Sequence, residues 1–378
     1  MMGIVMTKNN YKKLFIFFIF ILVFLGCSKD DIEPVTLEDQ IGQMLLVGFR
    51  GTTLEADNHI ISDIEEYNLG GVILYEKDGP TQSRPRNIES PEQLKKLVSA
   101  LRSHSKEKLF VAIDQEGGIV NRLKRNYGFP ATVTAQYLGE LNNEDSTRYY
   151  AISMAQILDS LGINMNFAPV VDLNVNPESP AIGALGRSFS ANPDTVVFHA
   201  EIFINELQKR GILSSCKHFP GHGSATADSH LGLTDITNTW NETELEPYRQ
   251  LISSGKCKLI MSAHVFNQHL DADYPATLSK KILTGILREE LKFRGAIISD
   301  AMEMGAISEN FGRNVAIEKA INAGCDILLF SNNVTSYDSE VVPQTIAAIK
   351  TMVDEGKISK ERIYESYAKI IALKENIN

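Results

Sequence analysis

Eight short apolar runs, separated by stretches of helical length, restrict the fold more than any other feature of this sequence. They are QMLLVGF (43–49), GVILY (71–75), LFVAID (109–114), INMNFAPVVD (163–172), ILSSCKH (212–218), KLIMSAH (258–264), AIISD (296–300) and DILLFS (326–331). Most are nearly continuous in hydrophobicity, as strands buried on both faces of a parallel sheet are. Amphipathic segments at 147–161, 193–209, 242–254, 279–291 and 314–323 place apolar residues three and four apart and predict helices. Gly162, Gly211, Gly255 and Gly324 stand where helix stops are expected, and Asn241 and Ser279 where N-caps are. Eight alternating units predict an α/β fold, a single (β/α)8 TIM-type barrel with no second α/β domain, closed by helices near 338–355 and 360–375. The segment 78–91 reads as a loop, and no Pro- or Ser-rich linker divides the chain.

In such a barrel the functional rim lies at the C-terminal ends of the strands. Here those ends carry Asp114, Asp172, Lys217 with His218, His264 and Asp300. Polar residues are common at strand ends, but five such positions with His and Lys among them favour a functional rim. The densest stretch is KHFPGHGSATADSH (217–230). Its proline and glycines exclude a regular helix or central strand, so it reads as a loop presented by the fifth strand.

Residue types then limit the chemistry. Asp300 suits a nucleophile, a metal ligand or a cap for the next helix. Asp228 and His230, two apart, suit an acid/base pair in which the carboxylate orients the imidazole; an Asp turn beside an exposed histidine is the plain alternative. His218 and His222 have the spacing of helical zinc ligands, but Pro220, Gly221 and Gly223 break any helix there and no HExxH glutamate is present, so no metal is expected. Asp114 in DQEGG, Arg122 eight residues on, and Arg187 after Asp172 add carboxylates and donors suited to a neutral polyhydroxylated ligand. No phosphate-loop pattern accompanies them, and no cofactor is expected.

The formal net charge is −10 and no Lys/Arg cluster offsets it, which argues against a nucleic-acid partner. The N-terminus is distinct. Lys8, Lys12 and Lys13 precede the apolar run 14–26 and Cys27. That run would span about 20 Å as a helix, short of a hydrocarbon core of roughly 30 Å, so residues 1–26 read as a signal peptide. FLGC resembles a bacterial lipobox, which implies lipidation of Cys27, a short tether over 27–36, a barrel over 37–378 and an exported chain lipid-anchored to the membrane of the cell envelope. Cys216, Cys257 and Cys325 are odd in number and lie in or beside apolar runs, so buried free thiols are expected.

Taken in order, LLVGFRG, GVILY, DQEGG, AIGALGRSF, KHFPGHGSATADSH and ISDAMEMGAI resemble the family 3 glycoside hydrolases, in their NagZ-like N-acetyl-β-glucosaminidase branch. The resemblance implies a retaining β-N-acetylhexosaminidase acting on N-acetylglucosamine-containing glycans or muropeptides. It implies that Asp300 is the nucleophile and His230, paired with Asp228 on a mobile loop, the acid/base. It implies that Asp114, Arg122, Arg187, Lys217 and His218 bind the terminal sugar, with His222 structural. Where many relatives have a second acidic residue after the nucleophile, this chain has Ala301. Rival readings are a phosphorylase on the same fold, a non-catalytic glycan-binding lipoprotein, and a periplasmic solute-binding protein, which would need two lobes.

Overall fold

The apolar runs become eight parallel strands: β1 (Leu45–Gly48), β2 (Gly71–Leu74), β3 (Phe110–Ile113), β4 (Met165–Asn166), β5 (Leu213–Phe219), β6 (Leu259–Ser262), β7 (Ala296–Ile298) and β8 (Leu328–Phe330). This computed structural model describes residues 35–228, 232–334 and 336–378. The leader, Cys27 and His230 lie outside the described residues. Among the described residues the eight strands form one sheet in the order β7-β6-β5-β4-β3-β2-β1-β8. A bridge between Ile298 and Ile327, with Ser299 N donating to Ile327 O at 3.0 Å, joins the two ends. The result is a closed (β/α)8 barrel spanning Thr36–Asn378.

The strands are short but wholly interior. LLVG, GVIL, FVAI and LIMS are buried at every position, with side chains alternating between the barrel interior and the helix layer. β4 is much shorter than its apolar run. Only Met165 and Asn166 pair on both sides, and the chain re-enters the sheet at Val170, opposite Lys217. Side-chain amides satisfy backbone groups that regular pairing would otherwise hold. Asn166 accepts from Gln115 N and donates to Gln115 O, both at 3.0 Å, and Asn164 does the same for Val111 N and Leu109 O at 2.8 and 2.9 Å.

The outer helices follow the expected periodicity. Glu144–Leu161 stops at Gly162, whose φ of 76° lies in the left-handed region. Pro193–Gln208, Arg313–Ala323, Val341–Asp354 and Lys360–Lys374 fall where helices were expected. The segment 242–254 divides into a 3-10 turn, Glu242–Leu245, and a helix, Glu246–Ser253, that begins around Pro247, whose ring has no N–H to continue the turn. Leu37–Gln43, His59–Glu66, Pro91–Ser103 and Ala135–Leu141 are further helices that the periodicity did not single out. Pro91–Ser103 starts on a capping box between Ser90 and Gln93. Cys216, Cys257 and Cys325 are free and buried, as expected.

Candidate active site

The C-terminal mouth of the barrel opens into a pocket of about 390 Å³. Asp114, Arg122, Arg187, Lys217, His218, Asp228 and Asp300 all line it, so seven of the residues singled out from the sequence meet in one place, while Asp172 and His264 of the expected rim do not line it. They arrive from four directions: after β3, from the loop after β4, from β5 and its following loop, and after β7.

A buried ion network forms one wall. Lys217 Nζ lies 2.8 Å from Asp114 Oδ1 and 2.6 Å from Glu116 Oε1. Arg187 grips Glu116 with two hydrogen bonds, Nε to Oε2 at 2.8 Å and Nη2 to Oε1 at 2.7 Å. Arg122 Nη2 reaches Asp114 Oδ2 at 3.4 Å. Burial pushes the Glu116 carboxyl up, but Arg187 and Lys217 outweigh it and bring the group down to about 2. Burial opposes ionisation of Asp114 too, and Lys217 and Arg122 hold it below the usual range. For Lys217 burial works against the charge, yet Asp114 and Glu116 raise it above its ordinary value. Acceptors and donors thus stay ionised in the pocket wall, and they can meet the hydroxyls of a polar ligand without first gathering charge. Glu116 was not singled out from the sequence, although it lies two residues from Asp114 in DQEGG, the spacing of one strand face.

A second carboxylate stands behind β5. Asp172, 1% exposed, accepts from His218 Nδ1 at 2.7 Å and from the backbone N–H groups of His218 and His222 at 3.1 and 2.8 Å. His218 Nε2 lies 3.3 Å from Arg187 Nη2. A guanidinium has no lone pair to accept with, so Nε2 accepts and Nδ1 carries the proton toward Asp172. His222 is turned inward beside His218, ring centroids 5.8 Å apart, and burial with the neighbouring His218 lowers it to about 4. Asp172 therefore holds both the His218 ring and the start of the PGHG turn. A Cβ on Gly223 would lie 1.7 Å from Leu173 O, so only glycine fits where the turn crosses the segment after β4.

Asp300 follows β7, its backbone N–H donating to Ser262 O at 3.2 Å and its Oδ1 accepting from Ala301 N at 2.8 Å. His264 stood with the rim residues in sequence, but it is fully buried and does not line the pocket. Its Nε2 donates to Ala301 O at 2.9 Å and its Nδ1 meets Thr277 Oγ1 at 2.9 Å, so it braces the segment that carries Asp300. Glu303 adds a second brace by accepting from Ser331 Oγ at 2.6 Å and from Asn332 N. Among the described residues no group of three or more His, Cys, Asp or Glu side chains is arranged to hold a metal ion.

Comparison with known proteins places this geometry. The model of the glycosyl hydrolase family 3 N terminal domain matches residues 36–373. Beta-hexosaminidase A of Pseudoalteromonas piscicida is 32% identical over 90% of this chain, and the chain spans 61% of that relative's length. A beta-hexosaminidase of Tolumonas auensis is 36% identical over 76% of this chain and 83% of its own. Among solved structures, a family 3 beta-N-acetylglucosaminidase from a Paenibacillus species superimposes with a TM-score of 0.81 at 32% identity, over 91% of this chain and 63% of that one. The Beta-N-acetylhexosaminidase of Beutenbergia cavernae gives 0.80 at 25% identity over 90% and 99%. A matched model over nearly the whole barrel, with relatives at this identity, establishes that the chain belongs to glycosyl hydrolase family 3.

Proposed function

We propose that this protein is a retaining β-N-acetylhexosaminidase that removes terminal non-reducing N-acetyl-β-glucosamine from peptidoglycan fragments or related glycans. The observation that carries this reading is the convergence in one pocket of Asp300, Asp228, His218 and the ionised wall built from Asp114, Arg122, Arg187 and Lys217. The names of the relatives point the same way.

In the proposed mechanism Asp300 attacks the anomeric carbon and forms a glycosyl ester, while protonated His230, oriented by Asp228, gives its proton to the departing glycosidic oxygen. Neutral His230 then takes a proton from water, the water oxygen bonds to the anomeric carbon, and the Asp300 carboxylate is released. The wall residues hold the terminal sugar while the anomeric centre changes charge. We further propose that the chain is exported and lipid-anchored through Cys27, facing the periplasm or the cell surface.

The test is hydrolysis of p-nitrophenyl N-acetyl-β-glucosaminide by the wild type and Asp300→Ala, with products analysed with and without phosphate. Free N-acetylglucosamine under both conditions, and none from the variant, is expected. An active Asp300→Ala protein would remove the nucleophile assignment, and a sugar 1-phosphate product would make the enzyme a phosphorylase. Metabolic labelling with a fatty-acid probe, lost in Cys27→Ser, tests the anchor.

A further inference from the structure

We propose that Glu244 is a positioning residue for the loop that carries Asp228, its carboxylate setting where the loop stands over the pocket by holding the N–H groups of Gly223 and Ser224. The proposal rests on the reading of Asp228 and His230 as the acid/base pair. Glu244 belongs to the turn Glu242–Leu245 and is 1% exposed. Its Oε2 accepts from Gly223 N at 3.1 Å and from Ser224 N at 3.4 Å. The loop has no slack against it. Gly221, at φ 122°, has room for no side chain, because a Cβ there would come within 2.6 Å of Glu244 Cβ. On the opposite side the Leu173 carbonyl closes on Gly223. Trp240 Nε1, donating to Pro220 O at 3.1 Å, fixes the loop where it leaves β5. Asp228 comes four residues after Ser224 and lines the pocket.

The charge around Glu244 is unusual for a carboxylate in this role. Among the described residues the main groups acting on it include no Lys or Arg. The titratable groups facing it are Asp172 from the segment after β4, Tyr248 from the following helix and His222 from the loop itself, which burial keeps neutral. Burial first, and Asp172 behind it, raise the Glu244 carboxyl to about 7. An ionised carboxylate accepts a backbone hydrogen bond more strongly than its neutral form. The grip on the loop is therefore firm above neutrality and slackens as Glu244 takes up a proton. The wall around Lys217 lies on other elements and keeps its own partners, so the loop's hold affects the proton-transfer step more than binding of the terminal sugar.

Two measurements test this. The first is hydrogen exchange of the Gly223 and Ser224 amides at pH 6 and pH 8, corrected for intrinsic exchange, in the wild type and Glu244→Gln. Gln keeps a carbonyl acceptor but does not titrate, so protection is expected to rise with pH in the wild type and stay level in the variant. The second is steady-state kinetics of Glu244→Ala on the aryl glycoside, where kcat is expected to fall about tenfold to a hundredfold with KM held within about threefold. The same pH step in Glu244→Gln, or a kcat for Glu244→Ala within about twofold of wild type, would overturn the proposal. If Glu244→Ala does not fold, Glu244→Gln decides through exchange alone. A wild type with no glycosidase activity would remove the proposed function, and the exchange experiment would still decide whether Glu244 holds the loop.

Discussion

The two ends of the barrel hold buried ionic clusters of similar make-up, yet only the C-terminal one forms the wall of the pocket that Asp300 lines. At the N-terminal end Asp326, fully buried, accepts from Arg288 at 2.6 Å, Arg362 and Lys369 at 3.1 Å, Ser366 Oγ at 3.1 Å and Ile297 N at 3.0 Å. That one carboxylate ties β7, β8 and the helix Lys360–Lys374 together. At the mouth, Glu116 plays the corresponding part between Lys217 and Arg187, but Asp114 and the two cations beside it face the pocket. Buried, paired charges therefore do not by themselves mark a site. The difference lies in whether the cluster leaves an ionised face toward a cavity, here the one that Asp300 also lines.

Substitution can break this contrast. Asp300→Ala should lower kcat/KM on the aryl glycoside by about 10⁴-fold or more while leaving the melting temperature near wild type. Asp326→Ala should do the reverse. Removing it strands three cations in the interior at about 3–5 kcal/mol of stability, read by urea unfolding, while activity per folded molecule stays close to wild type. A folded, stable and inactive Asp326→Ala protein would end the distinction between the two clusters. Glu116→Gln should fall between these cases. It loosens Lys217 and Arg187 together, and about a hundredfold loss in kcat/KM, carried mostly by KM, is expected from steady-state kinetics.

The smallest effects concern two buried bases, one at each end. Burial with the neighbouring His218 lowers His222 to about 4, and burial lowers Lys374 to about 7, where its Nζ donates to Gln43 Oε1 at 2.6 Å and Gly70 O at 3.0 Å. In each case the unfolded chain binds a proton at pH values where the folded chain does not, so stability rises with pH across the gap. The windows run from about 4 to 6.5 for His222 and from about 7 to 10.5 for Lys374. His222→Asn and Lys374→Met should each flatten the pH dependence of unfolding in its own window, by on the order of 1–3 kcal/mol. An unchanged slope in either variant would show that the base is charged in the folded protein.

Much of this contrast was legible in the sequence, because a parallel barrel writes its strands as apolar runs and its rim as the polar residue ending each run. Asp114, Lys217 and Asp300 were found that way. His264 followed the same rule and led to the wrong place: it ends its run as they do, but the chain after β6 turns it inward beneath Ala301. Glu116 was passed over because its partners, Lys217 and Arg187, come from other strands and loops, a pairing that no local spacing encodes. The length of β4 was overread for a related reason. Its apolar run continues past Asn166, but Pro169 cannot donate to a ladder, and only the closed barrel determines where pairing resumes. Glu244 lay inside a predicted helix with nothing to set it apart until Gly223 and Ser224 came to rest against it.

The seam between β7 and β8 governs when the segment that carries Asp300 can first be fixed. Met302 N donates to Leu329 O at 2.9 Å and Leu329 N to Ser299 Oγ at 3.0 Å, so the segment holding Asp300 is fixed only once β8 has arrived. Of the eight barrel strands β8 is the last to leave the ribosome, long after the residues of the ionised wall. A nascent chain can thus display Asp114, Lys217 and Asp300 and still lack the strand that fixes the Asp300 segment. For a hydrolase proposed to work outside the cytoplasm, this order of emergence leaves the Asp300 segment unfixed until β8 has been made.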